Sequence, residues 1–162
     1  MCYKKSCSND LKNEKNNKIY ENITVDNKYL SDIKSFKFFL EKNNKESHFI
    51  YIDLESKIKM LVYAKALYLN DTSKVFNPDI NLREIEISQN QYYDFIEKIK
   101  EINIRSWDNK YINFNSKQNI HWSILIEFFE NSKIIKEGKD DFPANWNEFI
   151  ELLNNYVNEK IL

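Results

Sequence analysis

One stretch, from His121 to Phe149, constrains the fold of this chain more than any other. Trp122, Ile124, Ile126 and Phe128 alternate with His121, Ser123 and Glu127, and only Leu125 breaks the pattern. A period of two over that length is the mark of a strand with one buried face. Asn131-Ser132 supplies a turn, and Lys133 to Glu137 returns antiparallel. After Gly138, Phe142-Pro143-Ala144-Asn145-Trp146 opens a helix, with Asn145 placed to cap the first free N–H groups and Glu148 placed to reach back. Trp146, Phe149, Ile150, Leu153 and Val157 form that helix's apolar stripe.

Upstream, Phe36, Phe38 and Leu40 alternate, Asn43-Asn44 supplies a turn, and Ile50, Ile52 and Leu54 alternate again, which reads as two strands of a meander. Residues 29 to 41 also fit helical spacing through Leu30, Ile33, Phe36, Lys37 and Leu40, and strand is the reading preferred. The segment from Ile58 to Leu69 carries Met60, Val62 and Ala64 on one face and Leu61, Tyr63 and Leu67 on the other, so it is expected to be central or covered on both sides. Asn70 to Asn81, with Pro78, reads as a loop, and Arg83 to Ile87 as a short strand. Ser88 and Gln91 have the spacing of a capping box, and Tyr92, Phe95, Ile96, Ile99 and Ile102 form one stripe, so a helix is expected over about Gln89 to Asn103, with Asp94 and Lys98 paired outside. Residues 104 to 119 read as a polar connection. The expected fold is therefore α+β, an antiparallel sheet of about five to six strands with two helices packed on one face.

With 162 residues, 42% of them hydrophobic, the chain has material for one core. Residues 1 to 18 read as a flexible polar arm and residues 19 to 162 as a single α+β domain. The balance of 24 basic against 25 acidic residues leaves no global field to attract nucleic acid. Only Arg83 and Arg105 carry the guanidinium that planar phosphate and base recognition prefers. A single glycine excludes phosphate-cradling loops and dinucleotide fingerprints. No apolar run is long enough to span a bilayer. Heavy use of Lys, Asn and Ile reads as the codon bias of an AT-rich bacterial or phage genome. Cys7-Ser8-Asn9-Asp10 and the tract behind it have the look of a lipoprotein tether, which makes a lipid-anchored, cell-surface domain the alternative to a cytoplasmic protein.

No cofactor, metal or catalytic constellation emerges from the residues. His48 and His121 each begin a predicted strand, where a half-exposed imidazole is ordinary; for His121, Ser123 on the same face or Asp108 in the loop could serve as a hydrolytic partner. Asp140-Asp141 and Glu84/Glu86 read as solvated charge. Cys2 and Cys7 lack the neighbours of a zinc site. Trp122 and Trp146 fall on core positions. Trp107 and Tyr111 lie outside any apolar stripe, and with Arg105 and Asp108 beside them they form the expected partner-binding patch.

The helix, the Trp107 and Tyr111 connection, the Trp122-x-Ile124-x-Ile126 strand, Gly138, and then Phe142-Pro143-x-Asn145-Trp146-x-x-Phe149 together resemble a family of small uncharacterised bacterial α+β domains. The resemblance covers roughly residues 85 to 157 and rests on turn, cap and core residues, so it implies a fold and no activity. Lys117-Gln118-Asn119 departs from it, standing where the family carries an acidic residue and a glycine. The functional expectation is a non-enzymatic protein-binding module, such as an immunity protein or an inhibitor of a larger nuclease or toxin. A surface lipoprotein domain and a small hydrolase using His121 are the alternatives.

Overall fold

The computed structural model describes residues 33–43, 45–67 and 79–162. The expected arm, its two cysteines, Leu30, Asn44 and most of the Asn70–Asn81 loop lie outside the described residues. Alternation resolves the first ambiguity in favour of a strand, since Phe36, Phe38 and Leu40 are buried in β1 (Ile33–Lys42). β2 (Glu46–Asp53), β3 (Lys59–Leu67) and β4 (Asp79–Ile87) continue the meander, each antiparallel to the strand before it. Helix α1 spans Gln89–Ile102 and is followed by a 3₁₀ turn, Ile104–Ser106. Then come β5 (Lys110–Ile112), β6 (Ile120–Phe128), β7 (Lys133–Lys139) and helix α2 (Trp146–Val157).

The strands form one seven-stranded sheet in the order β4-β3-β2-β1-β6-β7-β5. This corrects the expected count and the purely antiparallel character, because the short β5 adds parallel to β7, with Lys110, Tyr111 and Ile112 beside Glu137, Gly138 and Lys139. Three residues are too few to show a period, and the segment was therefore expected to be plain connection. The join between β1 and β6 holds the two halves together, with Phe38 beside Ile124 and Leu40 beside Trp122.

Both helices cover the same face of this sheet, as their aromatics meet over β1. Phe36 packs edge-on to Phe95 of α1 at 5.3 Å, and Phe38 packs edge-on to Phe149 of α2 at 5.4 Å. Ser88 and Gln91 make the full reciprocal capping box of α1, and Asp94 pairs with Lys98 at 2.9 Å. β3 has a strand on either side, yet among its described side chains only Leu61 and Tyr63, which face the helices, are fully buried; Met60, Val62 and Ala64 on the opposite face are half-covered.

Glycine is nearly absent, and the turns that need a left-handed backbone use other residues. Asn43, Asn103, Asn119, Asn131, Asp140 and Asn158 all have φ between 51° and 60°. Short amides and carboxylates tolerate this region because they can bond locally to the backbone. Asn119 makes the turn into β6 in this way, at the position where the sequence departs from the family resemblance.

Candidate functional site

The path from α1 to β5 sets the first candidate surface. Asn103 ends α1 in the left-handed conformation, its N–H bonded to the Ile99 and Lys100 carbonyls, and the 3₁₀ turn then swings the chain inward. Trp107 follows it into the core and is only 6% exposed. The expectation of an exposed Trp107 anchor is thereby corrected. Its ring stands edge-on to Phe149 at 5.5 Å and to Trp122 at 6.3 Å, so an isolated indole in a polar stretch of sequence completes an aromatic cluster. Tyr111 is half-buried, its ring 5.8 Å from Trp122 and its hydroxyl accepting the Asp108 N–H at 3.0 Å. Arg105 and Asp108 stay at the surface.

Lys136 fixes this loop, and sequence reasoning passed over it. On β7 it shares the helix-facing side with Ile134 and Gly138, and it is buried. Its ammonium donates to the Trp107 carbonyl, to Asn109 Oδ1 at 2.9 Å and to the Arg105 carbonyl at 3.5 Å. Burial holds its pKa below the ordinary lysine value, with the Asp108 carboxylate pulling the other way. The signal available in the sequence was a lysine on the inward register of an alternating strand.

Asn145 departs from its expected role. It makes no side-chain cap on α2; its amide donates to the Ile102 carbonyl at 2.6 Å and its Oδ1 accepts the Trp107 Nε1–H at 2.8 Å. One side chain thus ties the end of α1, the Trp107 loop and the start of α2. Asp140 is likewise not solvated charge, because its carboxylate is buried against the Asn119 and Ile120 N–H groups at 3.1 and 2.6 Å. Glu84 and Glu86 are exposed.

The histidines part company. His48 is buried, correcting its expected half-exposure, with Nδ1 2.8 Å from the Tyr63 hydroxyl and Nε2 3.2 Å from Glu46. Lys65 bridges Glu46 and Glu159 at 2.9 Å each, and Arg83 pairs with Glu159 at 2.7 Å, so the C-terminal end of α2 is clamped to β2, β3 and β4. Burial pushes the Tyr63 hydroxyl up to about 12, with Glu159 adding to the effect. His121 is half-buried beside Ser123 in a cleft of about 370 Å³ that Phe39, Lys139 and Glu137 also line. Its Nε2 lies 3.3 Å from Asn119 Oδ1, Glu137 is paired with Lys110 at 3.0 Å, and among the described residues no hydrogen bond joins His121 to Ser123.

The second surface is the sheet face turned away from the helices. Register brings Leu82, Ala64, Phe49 and Phe39 into one row across four strands, with Ile80 and Ala66 beside it on one side and Val62 and Tyr51 on the other. Ile80 and Leu82 are each 60% exposed, and no described helix crosses this face. Among the described residues no three His, Cys, Asp or Glu side chains converge to hold a metal, and no helix is long and apolar enough to cross a membrane. Comparison with protein-family models and with curated proteins finds no match.

Proposed function

We propose that this chain is a non-enzymatic protein-binding module, of the immunity or inhibitor kind, that works by covering a surface of a larger partner. The observation that carries this reading is the apolar band of the sheet that no described helix covers, where Ile80, Leu82 and Phe49 stand exposed while both described helices pack on the opposite face. Contiguous exposed apolar surface rimmed by charge is the usual form of a protein interface. Glu84, Glu86 and Glu41 supply the charged rim. Arg105 and Asp108 add a second, polar contact region, with Trp107 acting from beneath as the post that holds them and Tyr111 beside it.

Affinity capture from the native host tests the reading. Wild-type protein is expected to retain a stoichiometric protein partner, and Ile80→Lys/Leu82→Lys to lose it with an unchanged circular dichroism melt, since both side chains are exposed. Retention by the double variant overturns the assignment of the face. A hydrolytic activity that disappears in His121→Ala overturns the non-enzymatic reading.

A further inference from the structure

β7 is paired along its whole length on one side and over only part of it on the other. On the β5 side, pairing covers Glu137 to Lys139 and stops there. The direction of the remaining backbone groups follows from three bonds. Glu137 N–H donates to the Asn109 carbonyl at 3.1 Å and the Lys139 carbonyl accepts from Asn113 at 3.0 Å, both away from β6, whereas Asp140 N–H turns towards β6 to reach the Ile120 carbonyl at 2.9 Å. Odd-numbered residues of β7 therefore aim their N–H and C=O groups outward, and those of Lys133 and Ile135 meet no strand among the described residues. Beside them lies a cleft of about 560 Å³ lined by Arg105, Asn109, Lys110, Lys133, Ile135 and Glu137, with the Lys136 stem in its wall. Its surface charge leans positive, with Arg105, Lys110 and Lys133 lining it against the single carboxylate of Glu137, which Lys110 pairs at 3.0 Å.

We propose that this open edge receives an extended acidic segment of a partner protein by strand addition. An incoming strand continues the sheet where β5 leaves off, its backbone pairing with Lys133 and Ile135. The 105–109 loop, held rigid by Lys136, forms one wall and brings Arg105 to it. Lys133 and Ile135 share one face of β7, so an acidic residue of the segment meets Lys133 and an apolar residue two positions along meets Ile135, which is 46% exposed, while the residues between them turn to the other face. The inference rests on the reading of the chain as a protein-binding module and names the chemistry of one partner segment. It uses a different surface from the Ile80 and Leu82 band, so the two assignments fail separately.

The probe is a fluorescein-labelled, end-capped peptide of repeating Glu-Thr-Val-Thr, which sets Glu and Val two positions apart on one face, followed by anisotropy at low salt. Binding is expected to shift the amide resonances of Lys133 and Ile135, and Lys133→Glu is expected to weaken it by about tenfold or more. Ile135→Pro removes an outward N–H without touching the β6 ladder, so it should abolish binding while leaving the fold intact. Methylating alternate peptide nitrogens on the bonding edge should do the same from the other side, and this arm stands even if the proline variant does not fold. No binding by the unmodified peptide overturns the proposal, as does equal binding by the methylated one. A single-stranded oligonucleotide that competes as well as the peptide would reassign the cleft to polyanions in general and overturn it too.

Discussion

Gly138→Ala is the sharpest test of the packing described above, because the chain's single glycine is placed by contact and not by backbone angle. A methyl group there would sit 2.2 Å from Trp122 Nε1, 2.3 Å from Cε2 and 2.6 Å from Cζ2. Ordinary carbon contacts begin near about 3.5 Å, so the indole would have to retreat by roughly 1 Å. It has little room to do so. Its N–H donates to the Asp141 carbonyl at 2.9 Å, Trp146 lies 4.7 Å away, and Tyr111 closes a further side at 5.8 Å. Overpacking of this kind costs about 1–3 kcal/mol, and a strained or broken indole hydrogen bond adds about 1–3 kcal/mol. The loss of chain entropy in the unfolded alanine variant returns about 0.4–1 kcal/mol. The expected net destabilisation is about 2–4 kcal/mol, a large share of the roughly 5–15 kcal/mol that holds a domain together. Urea unfolding followed by circular dichroism measures it. Trp122→Phe removes the clashing atoms, so Gly138→Ala/Trp122→Phe should be less destabilised than the sum of the two single variants by at least about 1 kcal/mol. A Gly138→Ala protein within about 0.5 kcal/mol of wild type, or strictly additive variants, would refute the argument.

Three further outcomes follow from the same contacts. Asn145→Ala should lower unfolding free energy by about 2–4 kcal/mol, more than the roughly 1 kcal/mol of a lost helix cap, because it strands the Ile102 carbonyl and the Trp107 N–H together; urea midpoints decide between the two values. Lys136→Met should release the 105–109 loop and change the near-ultraviolet circular dichroism of the tryptophan cluster, with a loss of about 2–4 kcal/mol from the orphaned carbonyls, and an unaltered spectrum would count against the pin. For His48, burial lowers the folded pKa below its unfolded value of 6.5, with Glu46 opposing. The unfolded chain therefore binds the proton first as pH falls, so this contribution to stability is complete above about pH 6.5 and is lost as pH drops through the folded value. Urea midpoints taken from about pH 8 down to about pH 5 should fall over that window in wild type, and His48→Gln should flatten that part of the curve.

Periodicity carried most of the architecture into view. The strands of Phe36 to Leu40 and Trp122 to Phe128, the capping box at Ser88 and the stripes of both helices are all written in local spacing, which depends on neighbours in sequence. What escaped depends on neighbours in space. Trp107 has no apolar partner within its own segment, and only the return of β6, β7 and α2 gives it Trp122 and Phe149 to pack on. Asp140 read as solvated charge and Lys136 drew no reading at all, because polarity alone cannot tell a solvated side chain from one that satisfies buried backbone groups. Asn145 sat at a helix start with the right side chain for a cap, and a stronger tertiary use of the same amide won. β5 is too short to signal itself. Of the four residues expected to bind a partner, Arg105 and Asp108 are placed at the surface as a loop predicts, and Trp107 shows how a large aromatic in a polar stretch can be inward-facing.

The β1–β6 join also bears on how the chain reaches its fold. β1 to β4 form a run of sequential antiparallel pairs and β6 with β7 forms another, each closing over a stretch far shorter than the seam's and within microseconds. The seam between them is different, since Ser35 and Glu127 meet across it from 92 residues apart. Closing a loop of that length costs about 2–3 kcal/mol more than closing a hairpin, before any contact along the seam is rewarded. Both sheet halves would remain with a bare hydrogen-bonding edge at the middle of the finished molecule until that event. Substitutions in the seam, such as Phe38→Leu or Ile124→Val, are therefore expected to slow refolding, whereas those in the outer hairpins chiefly hasten unfolding. The rate-limiting step of assembly would then lie at the centre of the sheet, far from the edges that meet other molecules.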